Sequence, residues 1–245
     1  MERIDAQNLT GLLRRHRRTW GGGTFLARLN DDELWAVLDA GAPVEFGRGE
    51  VLVTEGGPDT DVFLLLSSTV KVTTRTRTKK RTLIAVRAGG DVIGELATLE
   101  GFRRTATVEV RGREPVLAVK VEGRRFLDVI RILPDAHMLL TASVARKLIA
   151  ATRRRAGFAG FTAEIRLARV IADMAEDYGV RTPTFRDGLE IGVDLTQTEW
   201  GALIGASEST AFRALKELKH RELVTVRYRR IVVRDLPRLR AFADV

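Results

Sequence analysis

The 245-residue chain contains no cysteine, and that absence removes disulfides, thiolate metal sites and cysteine-bound iron–sulfur clusters. Histidine is nearly as scarce. His16, His137 and His220 lie far apart, so neither a metal-ligand spacing nor a nucleophile–base pairing is apparent, and each reads as a solvated or helix-surface residue. P-loop signatures are missing too, and an enzyme is not expected. No apolar run approaches the ~18 residues of a membrane span. The opening MERIDAQNLTGLLRRHRRTWGGG sets arginines ahead of any apolar stretch, so a secretory signal is not expected either. A cytoplasmic protein is the expectation that remains. What is present, 44 % hydrophobic and 30 % charged residues, suffices for a buried core in one large or two smaller domains.

Charge carries more information by position than in total. The net charge of +9 favours a polyanionic partner. From Glu164 to Glu199 four arginines face eight acids, whereas from Glu208 to Arg240 ten Lys and Arg face four acids. The last third is therefore an acidic half followed by a basic half.

Local patterns divide the chain. Residues 1–24 read as a flexible basic arm with Arg14, Arg15, Arg17 and Arg18, ending in Gly21-Gly22-Gly23. Phe25 to Asp39 has apolar residues at helical spacing, with Asn30 or Asp31 as N-cap. Between Val44 and Val121 short β-rich runs (VLVTE, VFLLL, TVKVTT, TLIAV, ATVEV, VLAVKV) alternate with turns such as GGPD, AGGD and EGF, the texture of an antiparallel sandwich or roll. Gly123 to Arg155 predicts one or two helices. After Pro134, Leu140, Val144, Leu148 and Ala151 recur at three- and four-residue steps, a stripe long enough to be covered by a second chain. Gly157 and Gly160, bracketing Phe158, suggest a hinge, and Glu164–Tyr178 a further amphipathic helix.

The segment TQTEWGALIGASESTAFRALKEL holds the clearest signature. Thr196 with Glu199 forms a capping box, Trp200, Leu203 and Ile204 bury one face, and Gly205 permits the stop. Ser207 caps a second helix whose Ala211, Leu215 and Leu218 point inward. Two short helices about a glycine turn make a helix-turn-helix. Glu208, Ser209, Arg213 and Lys216 then face outward near the end that enters a major groove. Arg213 suits a guanine edge, and Ser209 or Thr210 a base or phosphate. Thr196, Gln197 and Ser207 at the two helix starts complete the candidate contacts to double-stranded DNA. LVTVRYRRIVV follows as a wing whose Arg227, Arg229 and Arg230 would track phosphates.

One stretch, GELATLEGFRRTATV from Gly94 to Val108, sets a carboxylate (Glu95) and, nine positions on, Arg104 and Thr105 inside the small β-domain. Either it is a charged turn, or it wraps a molecule bearing a hydroxyl and an anion. The order of roll, long helix and winged helix-turn-helix, with GELA at Gly94–Ala97, RRTATV at Arg103–Val108 and RLARVIADMA at Arg166–Ala175, resembles the cyclic-AMP receptor protein and fumarate–nitrate regulator family of bacterial transcription factors. The resemblance implies an α+β fold, with an antiparallel cyclic-nucleotide-binding β-roll over residues 25–133, a dimerisation helix and hinge over 134–160 and a winged helix-turn-helix over 161–245. It also implies a homodimer that contacts RNA polymerase, with no cofactor beyond an allosteric cyclic nucleotide, cyclic AMP first among them. By the same match Glu95 accepts from the ribose 2′-OH, Arg104 pairs with the cyclic phosphate, Thr105 adds a hydroxyl, and the backbone of Gly94, Leu96 and Ala97 completes the cradle.

Two departures keep alternatives in view. Counting back from RLARVIADMA puts Ala151 and Thr152 where cyclic-AMP-responsive members carry paired hydroxyls, leaving Thr152 alone to meet the base. Glu208-Ser209 stands where the family usually has Arg-Glu. The alternatives are a constitutive regulator with no or another nucleotide ligand, and a ligand-binding or interaction module that no longer reads DNA specifically.

Overall fold

A computed structural model describes residues 6–111, 114–181, 188–227 and 230–243. The chain forms two compact units, one of Met1–Arg81 with Ala85–Val144, the other of Thr82–Ile84 with Ala145–Val245.

The first unit begins with three helices, α1 (Ala6–His16), α2 (Phe25–Arg28) and α3 (Asp31–Leu38). Asn30 caps α3 in a full capping box with Glu33, as its sequence suggested. Eight strands follow: β1 (Ala42–Phe46), β2 (Val51–Val53), β3 (Val62–Leu65), β4 (Thr69–Arg75), β5 (Arg81–Ala88), β6 (Val92–Ile93), β7 (Thr107–Val110) and β8 (Val116–Val121). They form two four-stranded sheets, β1-β8-β3-β6 and β2-β7-β4-β5. A short helix α4 (Glu95–Glu100) interrupts the strands, and α5 (Gly123–Ile132) leads to the long α6 (Pro134–Gly160).

The continuous apolar run VFLLL has a physical reason. Alternate residues of a strand point to opposite faces, and β3 is covered on both. Val62, Leu64 and Leu66 join a cluster with Trp20, Phe25, Leu26 and Phe126, while Phe63 and Leu65 join the inter-sheet core with Leu52, Val70 and Val108. β8 divides the same way, Val119 and Val121 toward the helices, Val116 and Ala118 toward the other sheet. A central strand packed on both faces has no polar side to alternate with.

The expectation of a free basic arm does not hold for the described part of residues 1–24. Leu13 and Trp20 are 4 % and 7 % exposed and belong to the helix-side core. The Trp20 indole donates to the Leu66 carbonyl at 2.8 Å, and Arg17 pairs with Asp31 at 2.5 Å. Arginines and glycines dominate the composition of this segment, but two apolar anchors seven residues apart decide its fate. Arg14, Arg15 and Arg18 stay on the outside.

In the second unit α7 (Ala163–Tyr178) packs against α8 (Gln197–Ile204), α9 (Glu208–His220) and α10 (Leu236–Ala243) through Leu167, Val170, Ile171 and Met174. The strands β9 (Val180–Arg181), β10 (Leu189–Ile191), β11 (Val224–Arg227) and β12 (Arg230–Val233) form a sheet in the order β11-β12-β10-β9. The sequence did not suggest α10. It closes the core with Leu239 and Ala243, and the Ala243 carbonyl accepts the Arg169 Nε–H at 2.9 Å. The expected hinge also moves. α6 runs through Gly157 to Gly160, and the helix break falls at Phe161-Thr162.

Trp20→Ala tests the packing of the N-terminal segment. Truncating a buried aromatic should cost about 3–5 kcal/mol in urea unfolding of the full chain; a loss below about 0.5 kcal/mol would return the segment to the status of a tail.

Candidate ligand cradle and nucleic-acid interface

The first unit brings Gly94, Glu95, Leu96, Ala97, Arg104 and Thr105 to one place because β6 ends there in a left-handed turn. Gly94 has φ +88°, and a Cβ on it would meet the Arg104 guanidinium at 2.5 Å and the Asp61 carbonyl at 2.7 Å. Only glycine admits both the turn and the arginine. α4 then starts with Glu95 buried, Ala97 packed inward and Leu96 nearly half-exposed. Thr98 fastens the helix by donating to the Thr60 carbonyl at 2.5 Å.

Arg104 is 3 % exposed, an expensive place for a charge unless its donors are satisfied. Its Nη1 donates to the Gly94 carbonyl at 3.0 Å, Nη2 to the Asp61 carbonyl at 2.6 Å, and Nε to Asp59 Oδ1 at 3.0 Å. Nη2 also reaches Asp59 Oδ1, closing an ion pair. Backbone bonds to Gly57 and from Gly56 lock the same residue to the β2–β3 turn. Asp59, which sequence reasoning passed over as part of the GGPD turn, thus supplies an internal anion where the resemblance placed a phosphate. Its own side chain is 49 % exposed. Thr105, next to Arg104, is exposed.

A buried carboxylate and a buried guanidinium beside a left-handed glycine fit a ligand with a hydroxyl and an anionic group. A cyclic nucleotide has both. Glu95, Arg104 and the Gly94–Ala97 backbone would hold it, and the one obstacle is the carboxylate of Asp59.

Thr152 lies on the part of α6 that belongs to the second unit and is exposed. The apolar stripe read along α6 splits into two. Leu140 is buried with Ala136 in the helix-side core, whereas Leu148 and Ile149 are 66 % and 48 % exposed, as is Met138 at 65 %. Met138, Ala145, Leu148 and Thr152 follow at seven-, three- and four-residue steps, so Thr152 shares the uncovered apolar face.

In the second unit both helix starts form as the sequence indicates. The Thr196 hydroxyl accepts from the Glu199 N–H at 3.2 Å, and the Ser207 hydroxyl from the Thr210 N–H at 3.2 Å. Gly205 joins the two helices at φ +62°. The Glu208 carboxylate, exposed at the start of α9, accepts from the Thr198 hydroxyl at 2.6 Å. Ser209 and Thr210 are drawn into the cap, 3.1 and 2.9 Å from the Ser207 oxygen. Gln197 keeps its carboxamide oxygen buried without a hydrogen-bond partner.

Arg213 and Lys216 project from the exposed side of α9. Arg213 donates to Thr210 at 3.4 Å. It also stands close enough to Glu164 to help lower that carboxyl below its ordinary range, an effect owed first to the Glu164 backbone N–H and then to the Thr162 hydroxyl. Sequence reasoning missed Phe212, which is 55 % exposed on the same side.

The wing is a hairpin of β11 and β12 with Arg227 opposite Arg230. Arg230 pairs with Glu190 on β10, a contact that competes with any phosphate. Arg229 and the side chain of Arg227 lie outside the described residues. Among those residues no group of three or more acids and histidines could hold a metal, and no helix is long and apolar enough to cross a membrane.

Comparisons with known proteins agree with this division. The family model of the cyclic nucleotide-binding domain matches residues 43–132, and that of the Crp-like helix-turn-helix domain matches residues 165–242. The chain is 26 % identical over 197 residues to the CRP-like cAMP-activated global transcriptional regulator of Mycobacterium tuberculosis, covering 80 % of this chain and 86 % of that one. With the cAMP-activated global transcriptional regulator CRP of Escherichia coli it shares 27 % over 183 residues, 74 % and 84 % of the two chains. Two solved structures share the fold: a CooA mutant from Carboxydothermus hydrogenoformans (TM-score 0.67, 20 % identity, 93 % and 99 % covered) and FixK2 from Bradyrhizobium japonicum (TM-score 0.67, 19 % identity, 82 % and 96 % covered). With a cyclic nucleotide-binding domain ahead of a Crp-like helix-turn-helix, and regulators rather than enzymes for relatives, this chain belongs to the cyclic-AMP receptor protein and fumarate–nitrate regulator family of transcription factors.

Proposed function

We propose that the protein is a homodimeric, cytoplasmic regulator whose operator affinity is set by a cyclic nucleotide, cyclic AMP first among the candidates, held at Glu95 and Arg104. The observation that carries this reading is the buried guanidinium of Arg104 against the left-handed turn at Gly94. The relatives in M. tuberculosis and E. coli are cAMP-activated by name, which supports the choice of ligand. Thr152 of a partner would reach the base if two α6 helices paired through Met138, Leu148 and Ile149. Two α9 helices held about one DNA turn apart, ~34 Å, would then enter successive major grooves, and RNA polymerase would be the next contact.

A second reading is favoured by Asp59. Because it already neutralises Arg104, the cradle is satisfied without a ligand, as a constitutive regulator requires. Titration calorimetry with cyclic AMP and cyclic GMP separates the two. Under the first reading Asp59→Asn should tighten cyclic AMP binding about tenfold, since a charge-assisted contact contributes on the order of 1.5 kcal/mol. Arg104→Ala should abolish it, with urea unfolding to separate that loss from the stability lost when the Gly94 and Asp61 carbonyls lose their donor. No heat from wild type or from Asp59→Asn, together with gel-shift affinity for DNA that ignores added nucleotide, would establish the constitutive reading.

DNA reading is tested separately. Arg213→Ala should cost ~1–3 kcal/mol on a specific site and little on random duplex; equal losses on both would reduce Arg213 to a phosphate contact. Leu148→Glu should convert the dimer to a monomer in sedimentation, because a charge on an apolar helix seam is left unpaired. A dimer of unchanged affinity would move the interface elsewhere.

A further inference from the structure

The reading helix offers one large apolar group where polar ones are expected. On α9 the residues Ser209, Phe212, Arg213 and Lys216 are all exposed, and Ala211, Ala214, Leu215 and Leu218 are all buried. Steps of three and four residues put Ser209, Phe212, Arg213 and Lys216 on one side of the helix. At about 100° per residue Ser209 and Lys216 occupy the centre of that side, with Phe212 on one flank and Arg213 on the other. Phe212 therefore borders the face that a helix-turn-helix lays into the major groove. A single exposed aromatic is ordinary on a protein surface. This one is different because of what surrounds it. Arg213 follows it and Lys216 lies one turn on, so the patch is basic and suits a polyanion more than an apolar protein surface. Its polar neighbours are also committed elsewhere: Ser209 and Thr210 to the Ser207 cap, Glu208 to Thr198.

The major groove presents one apolar feature among the four bases, the 5-methyl group of thymine. We infer that Phe212 is a specificity-determining residue that packs its ring on a thymine methyl, beside the base or phosphate contacted by Arg213. This rests on the DNA-reading function proposed above. Part of the sequence information is then carried by apolar burial, which needs no hydrogen-bond partner and leaves Glu208 on Thr198 undisturbed.

The test removes the methyl and nothing else. Duplexes that the full-length protein enriches from a random pool, with and without 0.2 mM cyclic AMP (order of magnitude, chosen to saturate typical micromolar sites), are resynthesised with each thymine singly replaced by deoxyuridine. Wild type should lose about fourfold in affinity at one thymine in each half-site, the effect of uncovering one methyl. Phe212→Ala should bind thymine and uracil equally there, while its binding to random duplex and its salt dependence stay those of wild type. Phe212→Leu should keep part of the discrimination. An enriched site at which no uracil weakens wild type overturns the inference alone, as does a uracil effect that persists in Phe212→Ala. Failure to enrich any sequence overturns specific DNA reading, and the inference with it.

Discussion

Arg104 has to be buried as a cation, and much of the first unit is arranged to make that tolerable. Stripping water from a guanidinium costs several kcal/mol unless every edge is met. Here two carbonyls, from Gly94 and Asp61, and the carboxylate of Asp59 meet it. These partners flank the neighbouring strands β3 and β6, so the arginine ties the β2–β3 turn to the start of α4. The left-handed turn at Gly94 follows from the same requirement, since a side chain there would occupy the space of the guanidinium.

Around that centre the roll is stabilised by strands that have no water-facing side. β3 and β8 contribute to two cores at once, one between the sheets and one beneath α2, α5 and the N-terminal segment. That arrangement makes the helices part of the domain rather than appendages. It also places Trp20, from a segment rich in arginine, among the interior residues whose loss is felt by both layers.

Much of this was legible in the sequence, for reasons that differ by element. The helix-turn-helix could be read because its signals are local: a hydroxyl accepting from a backbone N–H three residues on, and a glycine where φ must be positive. The strands could be read from β-branched runs and turns. Asp59 could not, because a carboxylate in a Gly-Gly-Pro-Asp turn is an ordinary turn residue until the fold brings Arg104, 45 positions away, against it. The N-terminal segment was misjudged because composition outweighed two apolar residues whose partners lie far along the chain. Phe212 escaped notice since a phenylalanine in an amphipathic helix is normally counted toward the interior, and α10 because its apolar pattern is short. Long-range pairing is the cause shared by Asp59 and the N-terminal segment.

The half-exposure of Asp59 bears on time as well as on affinity. Once its bonds to Arg104 are broken, a side chain open to solvent on one side changes rotamer within picoseconds to nanoseconds, so an anion that binds Arg104 would displace it without waiting for a strand or helix to open. Under the ligand-binding reading proposed above, the aspartate would then act as a fast exchanger, and arrival of the competing anion would set the tempo.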